Sequence, residues 1–353
     1  MKLPKPLRPG AVIGVTAVSS GVEKAQHDRL ELALQMLRDR GFTVREGQCL
    51  RDHCKSTSAP ALERAAELMD FLTDPSIDAV MPPWGGQRAI ELLPHIDFAR
   101  LQSMPPKWFS GFSDISTLHL PLTLLAKWPT LHGPNLMELA ASQLDANTAA
   151  IWDILSPELS SPERTQDAFI QYSSPRYQQE VFSWLDDPTV GLNLTESTRW
   201  QRLDQHDEPV QLSGRLIGGC LDTLSRLAGT EYGDVPSFIR DSGDNGVILY
   251  LENVQLPPLE LLRALKSLEY HGWFTGISGL LMGRNSGPDS NLPNELSYQD
   301  ALHEVFDKQP FTTLYDVDVG HKAPQISLIN GALAQIEYAN GSGSVTMWLN
   351  AES

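Results

Sequence analysis

Three separated stretches of the chain hold residue types suited to acyl transfer. In Trp108-Phe-Ser-Gly-Phe-Ser113-Asp114 an apolar run meets a glycine and a serine and then a helical pattern. A serine at a strand-to-helix turn is lifted at the edge of a sheet, and the backbone N–H after it can hold a developing oxyanion. The G-x-S-x-G pattern is half met, because Ile115 stands at its second glycine, and taken alone such a serine more often caps a helix. Serine needs a base, and histidine is suited because it titrates near neutrality. Of the nine histidines, His321 stands out in Val319-Gly320-His321-Lys-Ala-Pro324, a glycine-flanked loop after a strand-like run. His119 and His132, close to Ser113 in sequence, remain rivals. Glu252 ends the run Val-Ile-Leu-Tyr-Leu, and a carboxylate there is costly unless paired or exposed, which suits the orienter of a histidine.

Met81-Pro-Pro-Trp84-Gly85-Gly86-Gln-Arg88 forms a second glycine turn whose N–H groups could face an anion or oxyanion. It lacks the G-x-x-x-x-G-K-[ST] spacing of a phosphate loop. Cys49, His53 and Cys54 are too few and too close for a closed zinc site, and H-E-x-x-H is absent, so neither metal nor cofactor is expected.

These residues need elements to hold them. Ala11–Val18 reads as a buried strand, and Leu30, Ala33, Leu34 and Leu37 recur with helical spacing up to a closing glycine, Gly41. The cycle repeats with a helix over Leu62–Leu72, a strand over Ile77–Met81, a helix over Arg88–Leu93, a strand over Lys107–Gly111 and a helix over Ile115–Leu125. Such alternation predicts an α/β fold with a mainly parallel sheet covered on both faces and a ligand site at the carboxyl ends of its strands. Residues 1–150 form this first domain. Residues 151–210 read as a linker or insertion rich in polar residues, prolines and aromatics, and 211–353 as a second, smaller β-rich domain.

The chain has 353 residues, with 27 Lys and Arg against 44 Asp and Glu and a formal charge of −17. That charge disfavours nucleic acid and anionic membranes as partners. No stretch is apolar enough to span a bilayer, no secretory signal is evident, and three cysteines fit a reducing compartment; a cytoplasmic location is expected.

Four stretches in order resemble the LD-carboxypeptidase family of serine peptidases. They are Leu7-Arg8-Pro9-Gly10 through Ser19-Ser20; Asp74-Pro75 through Gly85-Gly86 to Pro94; Gly111-Phe-Ser113-Asp114 with His132-Gly133-Pro134; and Gly214 through Gly218-Gly219, Gly229-Thr230, Glu252, Gly320-His321 and Pro324. The resemblance implies a Ser113, Glu252, His321 triad, an oxyanion hole from the backbone amides of Gly86 and Asp114, and a homodimer. It implies a Rossmann- or flavodoxin-like N-terminal domain carrying the serine and a β-rich domain carrying the other two residues. Val18, Trp84 and Cys220 depart from the family pattern, so the substrate stays open between two branches. One removes D-alanine from muropeptide tetrapeptides in wall recycling, and the other resembles the microcin C immunity peptidases that cut aminoacyl or peptidyl nucleotide conjugates. The aromatics Tyr172, Tyr177, Trp184 and Trp200 favour the second, with Trp84, Trp184 and Trp200 as expected substrate contacts. A binding protein without turnover is the alternative of another class.

Overall fold

The computed structural model describes residues 1–160, 168–206, 208–290 and 292–349, so residues 161–167 of the expected linker, Asp207, Asn291 and residues 350–353 lie outside the described residues. The first sheet takes β1 (Val12–Val15), β2 (Thr43–Glu46), β3 (Ala79–Val80), β4 (Trp108–Gly111) and β5 (Thr130–His132). The second takes β6 (Ala168–Tyr172), β9 (Gln201–Arg202), β10 (Val210–Cys220), β11 (Val247–Glu252), β12 (Gly279–Gly283), β13 (Thr312–Val317), β15 (Leu333–Ala339) and β16 (Ser342–Trp348). A separate hairpin pairs β7 (Arg176–Tyr177) with β8 (Glu196–Ser197), and β14 (Leu328–Asn330) belongs to the first sheet.

The first sheet runs β14-β5-β4-β3-β1-β2 and is parallel from β5 to β2. Its inner strands β3, β4 and β5 are buried on both faces, while the edge strand β2 is partly exposed; helices such as His27–Asp39 and Ala61–Thr73 each turn one apolar side to the core. The chain adds β2 to one side of β1 and β3 to the other, the switch point at which sites of open α/β sheets gather, and the loops after β1 and β3 are joined there by a hydrogen bond from the Ser20 N–H to the Gly85 carbonyl at 3.2 Å. Ser19-Ser20 and Trp84-Gly85-Gly86 occupy those two loops, and Ser113 follows β4 beside them.

The second sheet runs β6-β16-β15-β10-β11-β12-β13-β9, parallel from β10 to β13 and antiparallel at both flanks. With eight strands against six it is the wider of the two sheets. The reason is that β6 and β9, from the stretch expected to be a linker, close its two edges. The strand expected over Ile77–Met81 shortens to Ala79–Val80, and the helix expected over Arg88–Leu93 is a 3₁₀ helix, Ala89–His95, which contains Pro94.

The halves share their cores. One apolar cluster joins Phe109 and Leu118 to Ile217 and Leu249, and another joins Ile13 and Leu131 to Tyr250 and Ile329. β14 leaves the C-terminal half to pair antiparallel with β5. Its Asn330 accepts hydrogen bonds from the Gly218 N–H (3.0 Å) and the Tyr250 hydroxyl (2.8 Å) and donates to Thr130 Oγ1 (3.2 Å). One buried amide thus ties both sheets.

Candidate active site

Ser113 sits just past β4 with φ of 64°, a left-handed conformation that is uncommon for a residue with a Cβ. The turn is locked from both sides. The Phe112 N–H donates to Asn135 Oδ1 at 3.2 Å, and Ile115, where the elbow pattern wants glycine, is fully buried in the core. The missing glycine is therefore no obstacle, since helix packing rather than backbone freedom holds the bend.

His321 Nε2 lies 3.0 Å from Ser113 Oγ, and its Nδ1 lies 2.9 Å from Glu252 Oε2. Each partner ends or follows a strand: Ser113 after β4, Glu252 at the end of β11, His321 after β13. The file runs across the contact between the two halves. Gly320 has φ of +96°, and a Cβ there would fall 2.5 Å from Glu252 Oε2, so only glycine lets the histidine loop approach the carboxylate.

Electrostatics set the protonation states. Burial alone would raise the Glu252 carboxyl, but the charge and hydrogen bond of His321, with His132 beyond, hold it below its ordinary value. Burial likewise favours neutral His321, yet Glu252 outweighs it and raises the imidazole above its usual range. The pair is thus built to carry an imidazolium beside a carboxylate. His132 is different: burial, opposed by Glu252 and reinforced by His321, brings it to about 4, and its ring packs edge-on against Phe112 and Tyr250. His119 is buried against Phe109. Neither rival reaches Ser113.

The glycine turn after β3 abuts the serine turn. A Cβ on Gly85 would lie 2.8 Å from Ser113 Cβ and 2.9 Å from the Asp114 nitrogen. The Asp114 side chain fixes this approach by accepting from Ser19 Oγ (2.6 Å), the Ala89 N–H (2.9 Å) and Thr117 Oγ1 (3.1 Å). Ser19 Oγ in turn accepts from the Arg88 N–H at 2.9 Å, so one buried carboxylate binds three loops into a single wall. Gly86 and Asp114 lie in that wall, at the two turns beside the serine.

A cavity of about 190 Å³ is lined by His321, Phe112 and Trp184 among others. Trp184 is half-buried, with the Arg29 guanidinium 4.7 Å above its ring. Trp84 is half-buried and donates its indole N–H to the Ser20 carbonyl at 2.9 Å, outside that cavity. Trp200 corrects the expectation of a substrate contact: it is fully buried, and its indole donates to Asp318 Oδ2 at 2.6 Å. Its stacking faces are used up in the core. Cys220 pairs with Glu252 across β10 and β11, and burial, with Glu252 and Asp222, pushes its thiol up.

Sequence reasoning missed the supports behind His321. Arg284, just past β12, pairs with Asp318 Oδ1 at 2.6 Å and donates to the Lys322 (3.0 Å) and Pro324 (2.6 Å) carbonyls, gripping the histidine loop from beneath. Tyr177 covers its guanidinium at 4.9 Å. The signal available was a pair of charges, Arg284 after the apolar run Gly279–Gly283 and Asp318 directly after the strand Thr312–Val317.

A serine, an imidazole and a buried carboxylate in hydrogen-bonded file at the carboxyl ends of strands define a site of the acyl-transfer hydrolase class. Residues 13–133 match the family profile described as LD-carboxypeptidase N-terminal domain, and residues 213–336 that described as LD-carboxypeptidase C-terminal domain. The chain belongs to the LD-carboxypeptidase family, a family of serine peptidases. It is 24% identical to the microcin C7 self-immunity protein MccF of Escherichia coli, over 98% of this chain and 95% of that one. To the murein tetrapeptide carboxypeptidase of Pseudomonas aeruginosa it is 30% identical, over 68% and 66% of the two chains. The fold is shared with a solved structure of MccF in complex with aspartyl sulfamoyl adenosine, with a TM-score of 0.81 at 21% identity over 99% of this chain and 100% of that one.

Proposed function

We propose that Ser113, His321 and Glu252 form the working triad of a hydrolase that cleaves an amide joining an aminoacyl or peptidyl group to a nucleotide-like group. The observation that carries this reading is the 3.0 Å and 2.9 Å file from Ser113 Oγ through His321 to Glu252, with His321 lining a cavity that Trp184 also lines. His321 takes the Ser113 proton as Oγ attacks the carbonyl carbon, and Glu252 stabilises the imidazolium and fixes its tautomer. The N–H groups of Gly86 and Asp114 receive the oxyanion. His321 then gives its proton to the leaving nitrogen, and water, deprotonated by the same imidazole, releases the acyl group. Trp184 offers an aromatic face for a base.

The similarity to MccF over the whole length supports this substrate class, while the higher identity to a murein tetrapeptide carboxypeptidase over two thirds of the chain supports removal of D-alanine as the second reading. A homodimer acting in the cytoplasm belongs to the same proposal, and light scattering on purified protein tests the dimer. Mass spectrometry of reactions with an aminoacyl sulfamoyl adenosine and with a muropeptide tetrapeptide separates the substrate readings. Cleavage of the conjugate is expected, with turnover by Ser113→Ala reduced at least about 10⁴-fold. Release of D-alanine alone would select the second reading, and hydrolysis of neither would turn the site into a binding site.

A further inference from the structure

The cavity beside His321 offers hydrogen-bond acceptors and no uncommitted cation. Two basic side chains line it among the described residues: His321, whose ring nitrogens are committed to Glu252 and Ser113, and Arg29, which is buried and whose donors go to backbone carbonyls, Nε to Met137 (2.8 Å), Nη1 to Pro188 (2.8 Å) and Val190 (3.1 Å), and Nη2 to Glu138 (3.5 Å). The Arg29 charge is spent fastening the loop behind Trp184.

The acceptors, by contrast, are unspent. Gln325 is 3% exposed and lines the cavity, and its Oε1 is buried with no hydrogen-bond partner among the described residues. Asp145 lines the same cavity; its Oδ1 caps the short turn at Asn147 and Thr148 (3.0 Å each), while its Oδ2 is buried without a partner among the described residues. Glu138 uses Oε2 to accept from the Asn135 N–H at 2.9 Å and presents the rest of its carboxyl to the cavity. A buried carbonyl oxygen and a buried carboxylate oxygen left bare are costly, and a ligand donor supplies what the protein withholds.

The geometry points to an ammonium subsite: Glu138, Asp145 and Gln325 receive a primary amine on the substrate, and this subsite rejects a carboxylate or phosphate in the amine's place. An ammonium has three donors and no acceptor, which matches the acceptors that Glu138, Asp145 and Gln325 bring to one cavity; an anion would meet two carboxyl groups with no uncommitted cation to offset them. Burial, only partly opposed by the Asn135 N–H, His321 and Arg29 and reinforced by Asp145, pushes the Glu138 carboxyl up to about 7. This inference rests on the reading of the cavity as the substrate site and names a chemical feature of that substrate.

The test is calorimetric titration of the Ser113→Ala protein, which needs no turnover. Two pairs of probes differ only in the amine: L-Ala-γ-D-Glu-L-Lys-D-Ala against its Nε-acetyl form, and lysyl against norleucyl sulfamoyl adenosine. In at least one pair the amine should bind about 10- to 100-fold tighter, and the pair that shows it identifies whether the amine belongs to a peptide or to a nucleotide conjugate. Adding Glu138→Gln or Asp145→Asn, each of which keeps its capping oxygen, or Gln325→Leu should collapse that ratio towards unity. Equal binding within both pairs would overturn the subsite, as would variants that weaken both members of a pair alike. Failure of the unmutated protein to hydrolyse any probe would instead count against the proposed function and leave the titration readable.

Discussion

At the scale of single residues, the balance between burial and charge at His321 has a kinetic signature. Glu252 raises the imidazole above its ordinary range despite burial, and only the neutral ring can accept the Ser113 proton. Hydrolysis should therefore rise with pH through a value displaced upwards from that of a free histidine, as a profile of kcat/KM against pH will reveal. Glu252→Gln removes the negative charge and leaves burial dominant, so the acid limb should move to lower pH while the plateau falls by about 10⁴-fold. An acid limb that stays in place would detach Glu252 from His321. The positions of these residues stood out in sequence, a carboxylate ending five apolar residues and a histidine on a glycine-flanked loop, while the roles proposed for them came from the family resemblance. Trp200 was misjudged from its position. An aromatic in a polar stretch looks exposed, and only the distant Asp318 shows why this one is not.

Among elements, the loops matter more than the strands that launch them. Arg284 braces the histidine loop through Asp318 and two carbonyls, and its own charge is almost wholly buried. Arg284→Met should cost about 3–5 kcal/mol because it strands the Asp318 carboxylate, measured by denaturant unfolding, and kcat should fall more than KM rises as the His321 ring loses its support. On the opposite wall, Gly85→Ala would press a methyl group 2.8 Å from Ser113 Cβ. That variant should stay folded, with thermal stability within a few degrees of the parent, yet lose at least about 100-fold in kcat through displaced oxyanion donors. The parallel strands and their order of helices could be read from periodicity. The edge strands β6 and β9 could not, since their pairing depends on partners more than a hundred residues away in the chain.

For the whole molecule, the first sheet is not made by the first half of the chain alone. A fragment ending at residue 150 would leave β5 without β14 and expose apolar surface shared with Ile217 and Tyr250. Asn330 concentrates that dependence. Replacing it with leucine should destabilise the protein by about 3 kcal/mol, since the Gly218 N–H, Tyr250 hydroxyl and Thr130 hydroxyl all lose a buried partner. A single, less stable unfolding transition is expected in denaturant, and separate transitions for the two halves would argue that they fold independently.

The file from Ser113 to His321 crosses the contact between the halves, and this makes inheritance a joint affair. Either half taken from a distant relative would bring its own strand ends and its own loop heights, and a mismatch of one ångström would part the serine from its base without unfolding anything. Recombination within such a gene is expected to yield stable, silent proteins far more often than active ones. The two halves must change together, so their history should be recorded as paired substitutions along the surface where they meet.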